Sequence, residues 1–301
     1  MKHHRSSPPA VSRVAVEFPD RVPMSADAAR QIVDIVQRKA GIRIDPRNGP
    51  FLSFRLDRRI RELGLVDYDT YLTQLRGAAG VNEIQYLVES LATHTTSFFR
   101  EEAHYQWLAE KGVEMTKNYG AGHAHTLTVW SAACSSGEEL WSAGMLLDEE
   151  SRKYSGGIRW TLVGSDVSEA ILRKAKLAVY GASDLSGLSK IRRSAYLLRS
   201  RAGAAISPSQ RIYRISPDLR NRATFLRANL LENLDSTIPL VDIVFLRNVL
   251  IYFSAEDRLR VVQNVMRRMR LGALLLLGHS DNLQVLPPNL VACGTAIFRK
   301  E

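Results

Sequence analysis

Three stretches of this chain place polar groups where an apolar strand should end. Ser131-Ala132-Ala133-Cys134-Ser135-Ser136-Gly137 follows one apolar run and opens onto the helix-forming Glu138-Glu139. Small side chains let a ligand approach the backbone, and a helix start supplies unpaired N–H groups. The stretch lacks a full G-x-G-x-x-G, so a tight structural turn also explains it. Gly164-Ser165-Asp166 ends a second run with a carboxylate that can accept hydrogen bonds from both ribose hydroxyls of a nucleoside. Asp166 can equally cap the helix beginning near Ser168, and the two roles are compatible. Arg247, Asn248 and Tyr252 follow a third run. Polar groups there line the ligand crevice of open α/β sheets, and a charge just beyond a buried strand needs a partner, although Tyr252 also suits a core. Together these stretches describe a Rossmann-like nucleoside site without specifying which cofactor fills it.

The elements that must carry these groups follow from periodicity. Apolar residues at helix spacing, Ile32, Val33, Ile35 and Val36, then Phe51, Leu52, Leu56, Ile60 and Leu63, predict an all-helical segment from Ala26 to about Ala92. Glu101 to Lys117 continues as helix. From Thr126 short apolar runs alternate with helices, the mark of an α/β fold with parallel strands. The expected strands are Thr126–Ser131, Trp160–Ser165, Ala223–Arg227, Val241–Leu246 and Ala273–Gly278; the helices include Glu138–Glu150, Ser168–Val179 and Ala255–Arg270. Gly181–Arg222 is longer than a crossover needs, and with the alternating Arg211-Ile212-Tyr213-Arg214-Ile215 it reads as a small inserted β-subdomain, a hairpin or short antiparallel sheet. The expected division is a disordered basic tail over 1–23, a helical domain over 24–95 and an α/β domain over 96–301, with the insertion at about 181–222.

Composition narrows the function classes. At 301 residues, 45% hydrophobic and 24% charged, the chain can build a full core. Its two cysteines, Cys134 and Cys293, are too few for a disulfide framework, and the basic start carries no apolar h-region, so a reducing, cytoplasmic setting is expected. The longest purely apolar run, Ala273–Leu277, is far too short to span a bilayer, so no membrane insertion is expected. The net charge of +10 favours an anionic partner without choosing one. No metal site is expected: His123 and His125 read as a solvated loop, and Cys134 as a small packing residue.

Several motifs resemble one family, the CheR-type chemotaxis receptor methyltransferases: His94-Thr95-Thr96-Ser97-Phe98-Phe99-Arg100-Glu101, the Trp130–Glu139 loop, Ser165-Asp166, Asn229-Leu230-Leu231, Arg247–Phe253 and Gly278-His279-Ser280. The resemblance implies a Rossmann-like class I methyltransferase domain with an inserted β-subdomain, preceded by an all-α domain. It implies S-adenosylmethionine as cofactor, lined by His94, Thr96, Arg100, Glu139, Asp166, Asn229, Leu230, Arg247 and Asn248. Arg100 would meet the methionyl carboxylate, Asp166 the ribose and Asn229 the adenine; Arg247 and Tyr252 would face the methyl group and the incoming glutamate. His94 stands where the family usually has Asn, Ala133 and Leu140 replace a common Gly and Pro, and Leu246 replaces a common Cys.

The implied reaction, esterification of receptor glutamates, needs no general base, because a carboxylate of ordinary pKa about 4.3 is already an anionic nucleophile. Alignment and desolvation are the work left to the protein. Arg55, Arg58, Arg59 and Arg61 form a basic helix face, either solvated or docking on acidic chemoreceptor helices. A monomer is expected. Two rival readings are a nucleic-acid methyltransferase, whose usual Asn/Asp-Pro-Pro-aromatic signature is missing, and a non-catalytic adaptor that binds S-adenosylmethionine.

Overall fold

The computed structural model describes residues 24–77, 80–200, 211–283 and 285–301; the tail expected over 1–23 lies outside them. Four helices come first: α1 (Ala26–Ala40), α2 (Gly49–Glu62), α3 (Tyr68–Arg76) and α4 (Gly80–Leu91). Ser25 caps α1 by accepting from the Ala28 N–H, and Asn48 and Asp67 cap α2 and α3 in the same way. Ile32, Val33 and Val36 of α1, Leu52, Leu56 and Ile60 of α2, and Leu87 and Leu91 of α4 share one core. A buried polar cluster pins α2 to α4 inside it: Arg59 grips the Glu83 carboxylate through Nε (3.0 Å) and Nη2 (2.6 Å), and the Tyr71 hydroxyl donates to the same group at 2.9 Å.

The segment expected as one helix over 101–117 is α5 (Glu102–Trp107), a π-helical turn over Leu108–Gly112, and α6 (Val113–Lys117). An α/β domain follows: β1 (Leu127–Ala132), α7 (Glu138–Ser151), β2 (Trp160–Asp166), α8 (Glu169–Leu177), β3 (Val179–Gly181), α9 (Lys190–Tyr196), β4 (Leu197–Arg199), β5 (Ile212–Ile215), α10 (Pro217–Arg220), β6 (Ala223–Arg227), β7 (Val241–Leu246), α11 (Ala255–Arg268), β8 (Met269–Leu277), β9 (Leu290–Gly294) and β10 (Ile297–Lys300).

The main sheet runs β6-β2-β1-β7-β8-β10-β9, parallel from β6 to β8, with β10 antiparallel to both β8 and β9. Strand order reverses beside β1, which leaves a crevice at the carboxyl ends of β1 and its neighbours. Alternate residues enter two cores. Val129, Phe245 and Leu276 pack on one face with Leu140 and Trp141 of α7, and Trp130, Val244 and Leu275 on the other with Val261 and Val265 of α11. Burial on both faces is why these strands read as unbroken apolar runs.

Two departures from the sequence reading concern strand ends. The helix expected to reach Arg270 stops at Arg268, and β8 begins at once at Met269. The C-terminal hairpin β9–β10 was not expected, because Ala292, Cys293, Gly294 and Thr295 dilute its alternation. The insertion is a three-stranded antiparallel sheet, β3-β5-β4, whose Tyr180 hydroxyl reaches back to the Ser136 carbonyl at 2.7 Å.

The helical segment roofs the crevice. α1 ends at Gly41, in the left-handed region at φ 71°, and a Cβ there would sit 2.6 Å from Leu231 and Phe253, so only glycine allows this approach. Arg43 N–H donates to the Tyr252 carbonyl at 2.8 Å, and the Gln85 amide donates to the Val167 carbonyl at 3.0 Å. None of the helices among the described residues is long and apolar enough to cross a membrane.

Candidate active site

The floor of the cleft is the turn between β1 and α7. Ala133 (φ 67°) and Ser135 (φ 52°) both take left-handed backbone. Ala133 occupies the position of the expected Gly, where a Cβ costs about 1 kcal/mol. Asp166 fixes this turn to β2. One carboxylate oxygen accepts from the Ser135 N–H and the other from the Ser168 N–H, both at 3.0 Å. The helix cap itself is Ser168, whose hydroxyl accepts from Ile171 N–H at 3.2 Å, so Asp166 is not needed as the cap. Two hydrogen bonds leave a carboxylate further lone pairs. Burial pushes the Asp166 carboxyl above its ordinary pKa, against the pull of these N–H groups and of His94.

Arg247, at the tip of β7, has a fully buried guanidinium set between two acids: Nη1 lies 3.3 Å from Glu139 and Nη2 lies 3.2 Å from Glu101. Nη1 also reaches the Tyr105 hydroxyl at 3.5 Å, and Nη2 donates to the Arg100 carbonyl. Burial works against the Arg247 charge, but Glu139, Tyr105 and Glu101 more than offset it. Glu139 is itself pushed up by burial despite Arg247 and the Ser131 hydroxyl. Burial acts the same way on Glu101, but Arg247 and Asn248 hold that carboxyl below its ordinary value.

The loop after β7 hangs on Asp281, whose carboxylate collects the N–H groups of Asn248, Ile251 (3.2 Å) and Gly278 (3.0 Å). This holds Asn248 at φ 56°, with its amide donating to Glu101 at 3.2 Å.

His94, Thr96, Arg100, Glu139, Asp166, Arg247, Asn248 and Tyr252 all line this one cleft, together with Ala133 and Ser135. Asn229 and Leu230 do not. Asn229 lies in an adjoining groove, its amide donating to the Lys39 carbonyl and to Glu232, and Leu230 is buried in the α11-side core. Arg100 donates to the Thr95 carbonyl at 3.2 Å. Cys134 is 1% exposed, and burial with the nearby Asp166 and Glu139 raises its thiol far out of nucleophilic range. Sequence reasoning missed Glu101 as a partner of Arg247, and it missed Asp281, which the Gly278-His279-Ser280 motif adjoins.

Of the α2 arginines, Arg59 serves the bundle through Glu83 and is stacked over Tyr86 at 4.2 Å. Arg55 covers Phe51, Arg58 pairs loosely with Glu62 on the surface, and Arg61 is exposed. His125, in the loop read as solvated, is tied to Asp242 at 2.7 Å.

Residues 94–296 match the domain described as CheR methyltransferase, SAM binding domain, and residues 27–92 match the CheR methyltransferase all-alpha domain. The chain belongs to the CheR methyltransferase family. Among similar proteins, the chemotaxis protein methyltransferase of Salmonella typhimurium is 30% identical, covering 97% of this chain and 96% of that protein. The proteins of the same name from Escherichia coli (29%, 97% of each chain) and Klebsiella aerogenes (30%, 98% and 95%) match equally broadly. The chain is thus a methyltransferase that uses S-adenosylmethionine.

The residues present fit that cofactor. Asp166 keeps acceptor capacity at the cleft wall, and Arg247 Nε is buried with no hydrogen-bond partner among the described residues.

Burial of a neighbouring acid yields a pH prediction. Glu138, 7% exposed at the start of α7, has its carboxyl raised by burial. A raised folded-state pKa means stability present below the unfolded pKa that is lost as pH rises through the folded one. Glu138→Gln should therefore be the more stable protein at pH 7, with its advantage vanishing below about pH 4. Urea unfolding across pH checks this, and a constant difference would contradict it.

Proposed function

We propose that the chain methylates glutamate side chains on the cytoplasmic helices of chemotaxis-type receptors, forming the glutamyl methyl esters of sensory adaptation. The cleft supports this reading: a carboxylate and a buried guanidinium stand at the ends of β2 and β7, on either side of β1, beneath a helical domain whose α2 carries Arg55, Arg58 and Arg61. The bound cofactor supplies a sulfonium methyl that is already electrophilic. Asp166 would hold the ribose and Arg100 the methionyl carboxylate, with His94, Thr96 and Asn248 along the wall. Arg247 neutralises and fixes Glu139 and Glu101, so its part is to set the shape and charge of the cleft, with only Nε left to turn toward a substrate carboxylate. Tyr252, on the turn after β7, would pack beside the incoming glutamate and exclude water, which raises the reactivity of its carboxylate. No proton needs to be removed from that nucleophile.

Docking is assigned to Arg55, Arg58 and Arg61 of α2, while Arg59 is engaged internally. The test is transfer of labelled methyl from S-adenosylmethionine to receptor cytoplasmic fragments, followed by a mild alkaline wash. Base-labile label on receptor is expected, and label on nucleic acid instead would overturn the substrate class. In the same assay Arg58→Glu with Arg61→Glu should lower kcat/KM about tenfold at low salt and much less at high salt, with cofactor affinity unchanged. Equal rates at low salt would remove the docking role.

A further inference from the structure

Behind Arg247 lies a group of side chains in which Glu101, the partner of Arg247, meets two histidines that the proposed methyl transfer does not use. Glu101 and His104, at the start of α5, and His279, just past β8, bring one carboxylate and two imidazoles together, with a ligand atom from each within 4.8 Å of the others. His104 is 2% exposed, and its Nε2 meets the Thr295 carbonyl at 3.3 Å. A carbonyl only accepts, so Nε2 carries the ring proton and Nδ1 of the neutral ring is a bare lone pair. The ring is kept neutral by burial and by the Arg247 charge, which bring its pKa down to about 4. That buried Nδ1 has no hydrogen-bond partner among the described residues. It faces Glu101 Oε2 across 3.6 Å. Glu101 Oε2 already accepts from the His279 backbone N–H at 3.2 Å and pairs with Arg247, so the group left without a partner is Nδ1, and a buried lone pair with no donor or cation on it is costly.

His279 completes the arrangement. Its Nδ1 is 4.0 Å from the same Glu101 oxygen, and its ring stands edge-on to His104 with centroids 5.2 Å apart. The His279 side chain is 52% exposed, so the group opens to solvent. We propose that Glu101, His104 and His279 bind a divalent transition-metal ion of the zinc class, through Glu101 Oε2, His104 Nδ1 and His279 Nδ1, with water completing the shell.

Tetrahedral zinc with bonds of about 2.0–2.2 Å sets its ligands about 3.4 Å apart. The 3.6 and 4.0 Å from Glu101 Oε2 to the two rings, with all three ligand atoms within 4.8 Å of one another, close to that geometry by side-chain movement without a change of backbone. Two imidazoles and one carboxylate select zinc, cobalt or copper over magnesium or calcium. The Thr295 carbonyl on Nε2–H is the outer partner that metal-binding histidines ordinarily have. Arg247, 3.2 Å from the same carboxylate oxygen, sets a limit. Its positive charge weakens the site relative to a closed four-ligand centre and couples it to the cleft.

The test uses the full chain, stripped with a chelator and titrated with Co2+ while its ligand-field absorption is followed, then with Zn2+ by calorimetry. One saturable ion per chain is expected. His279→Ala, at a half-exposed position that spares the fold, should weaken binding at least tenfold, and His104→Gln should abolish it. A variant with His3, His4 and His123 replaced by Ala should bind as the native chain does, which separates this site from those other histidines. No saturable Co2+ binding by the native chain, or binding that survives His279→Ala, would overturn the proposal.

Discussion

Replacing Arg247 with alanine should destabilise the protein by about 3–5 kcal/mol, the range for removing one partner of a buried ion pair. The guanidinium is fully buried and the side chains of Glu101 and Glu139 are each 13% exposed, so its loss strands two carboxylates at once. Denaturant unfolding of Arg247→Ala against the native chain reads this directly. The triple variant Arg247→Met, Glu101→Gln, Glu139→Gln removes the whole charge cluster, leaves no stranded ion and should recover most of the lost stability. Methyl transfer should stay absent in both, because the wall of the cleft is gone in both. A single variant as stable as the native chain would show that the three charges are not coupled and that Arg247 is free to serve substrate alone.

The parts of this site that were legible in the sequence are those set by local pattern. Asp166 and Arg247 each end an apolar run, so a strand tip could be inferred before any contact was known. The cleft brings them together because β1 lies between β2 and β7, an order that the α/β alternation by itself does not fix. Partners distant in sequence were not legible. Glu101 meets Arg247 across 146 positions of chain, and Asp281 organises the Asn248 loop from the end of a different strand. Arg59 carried the same difficulty in reverse. Its spacing on α2 matches the surface arginines beside it, and only the helix-to-helix approach of Glu83 shows that its charge is consumed inside the bundle. The insertion was legible by excess length and one alternating strand, since β3 and β4 are three residues each, too short to show a period.

Asp166→Asn is expected to weaken S-adenosylmethionine binding at least tenfold, and up to about a hundredfold. Hydrogen bonds to a charged group contribute about 1.5–3 kcal/mol, and each 1.4 kcal/mol is tenfold in Kd. The amide that replaces the carboxylate turns a donor toward one of two backbone N–H groups, Ser135 or Ser168, so the β1–α7 turn is disturbed together with the proposed ribose contact. Calorimetric titration with S-adenosylmethionine gives the affinity, and its pH dependence identifies the cause. With Asp166 holding the ribose as proposed, binding depends on the charged carboxylate, whose pKa burial raises. Acidification should therefore weaken binding to the native chain starting above the ordinary Asp range near 3.9, as Asp166 takes up its proton. The Asn variant, already neutral, should lack that acid limb. Native affinity in the variant would confine Asp166 to holding the turn. Weakened affinity with the acid limb intact would place the titrating group elsewhere in the cleft.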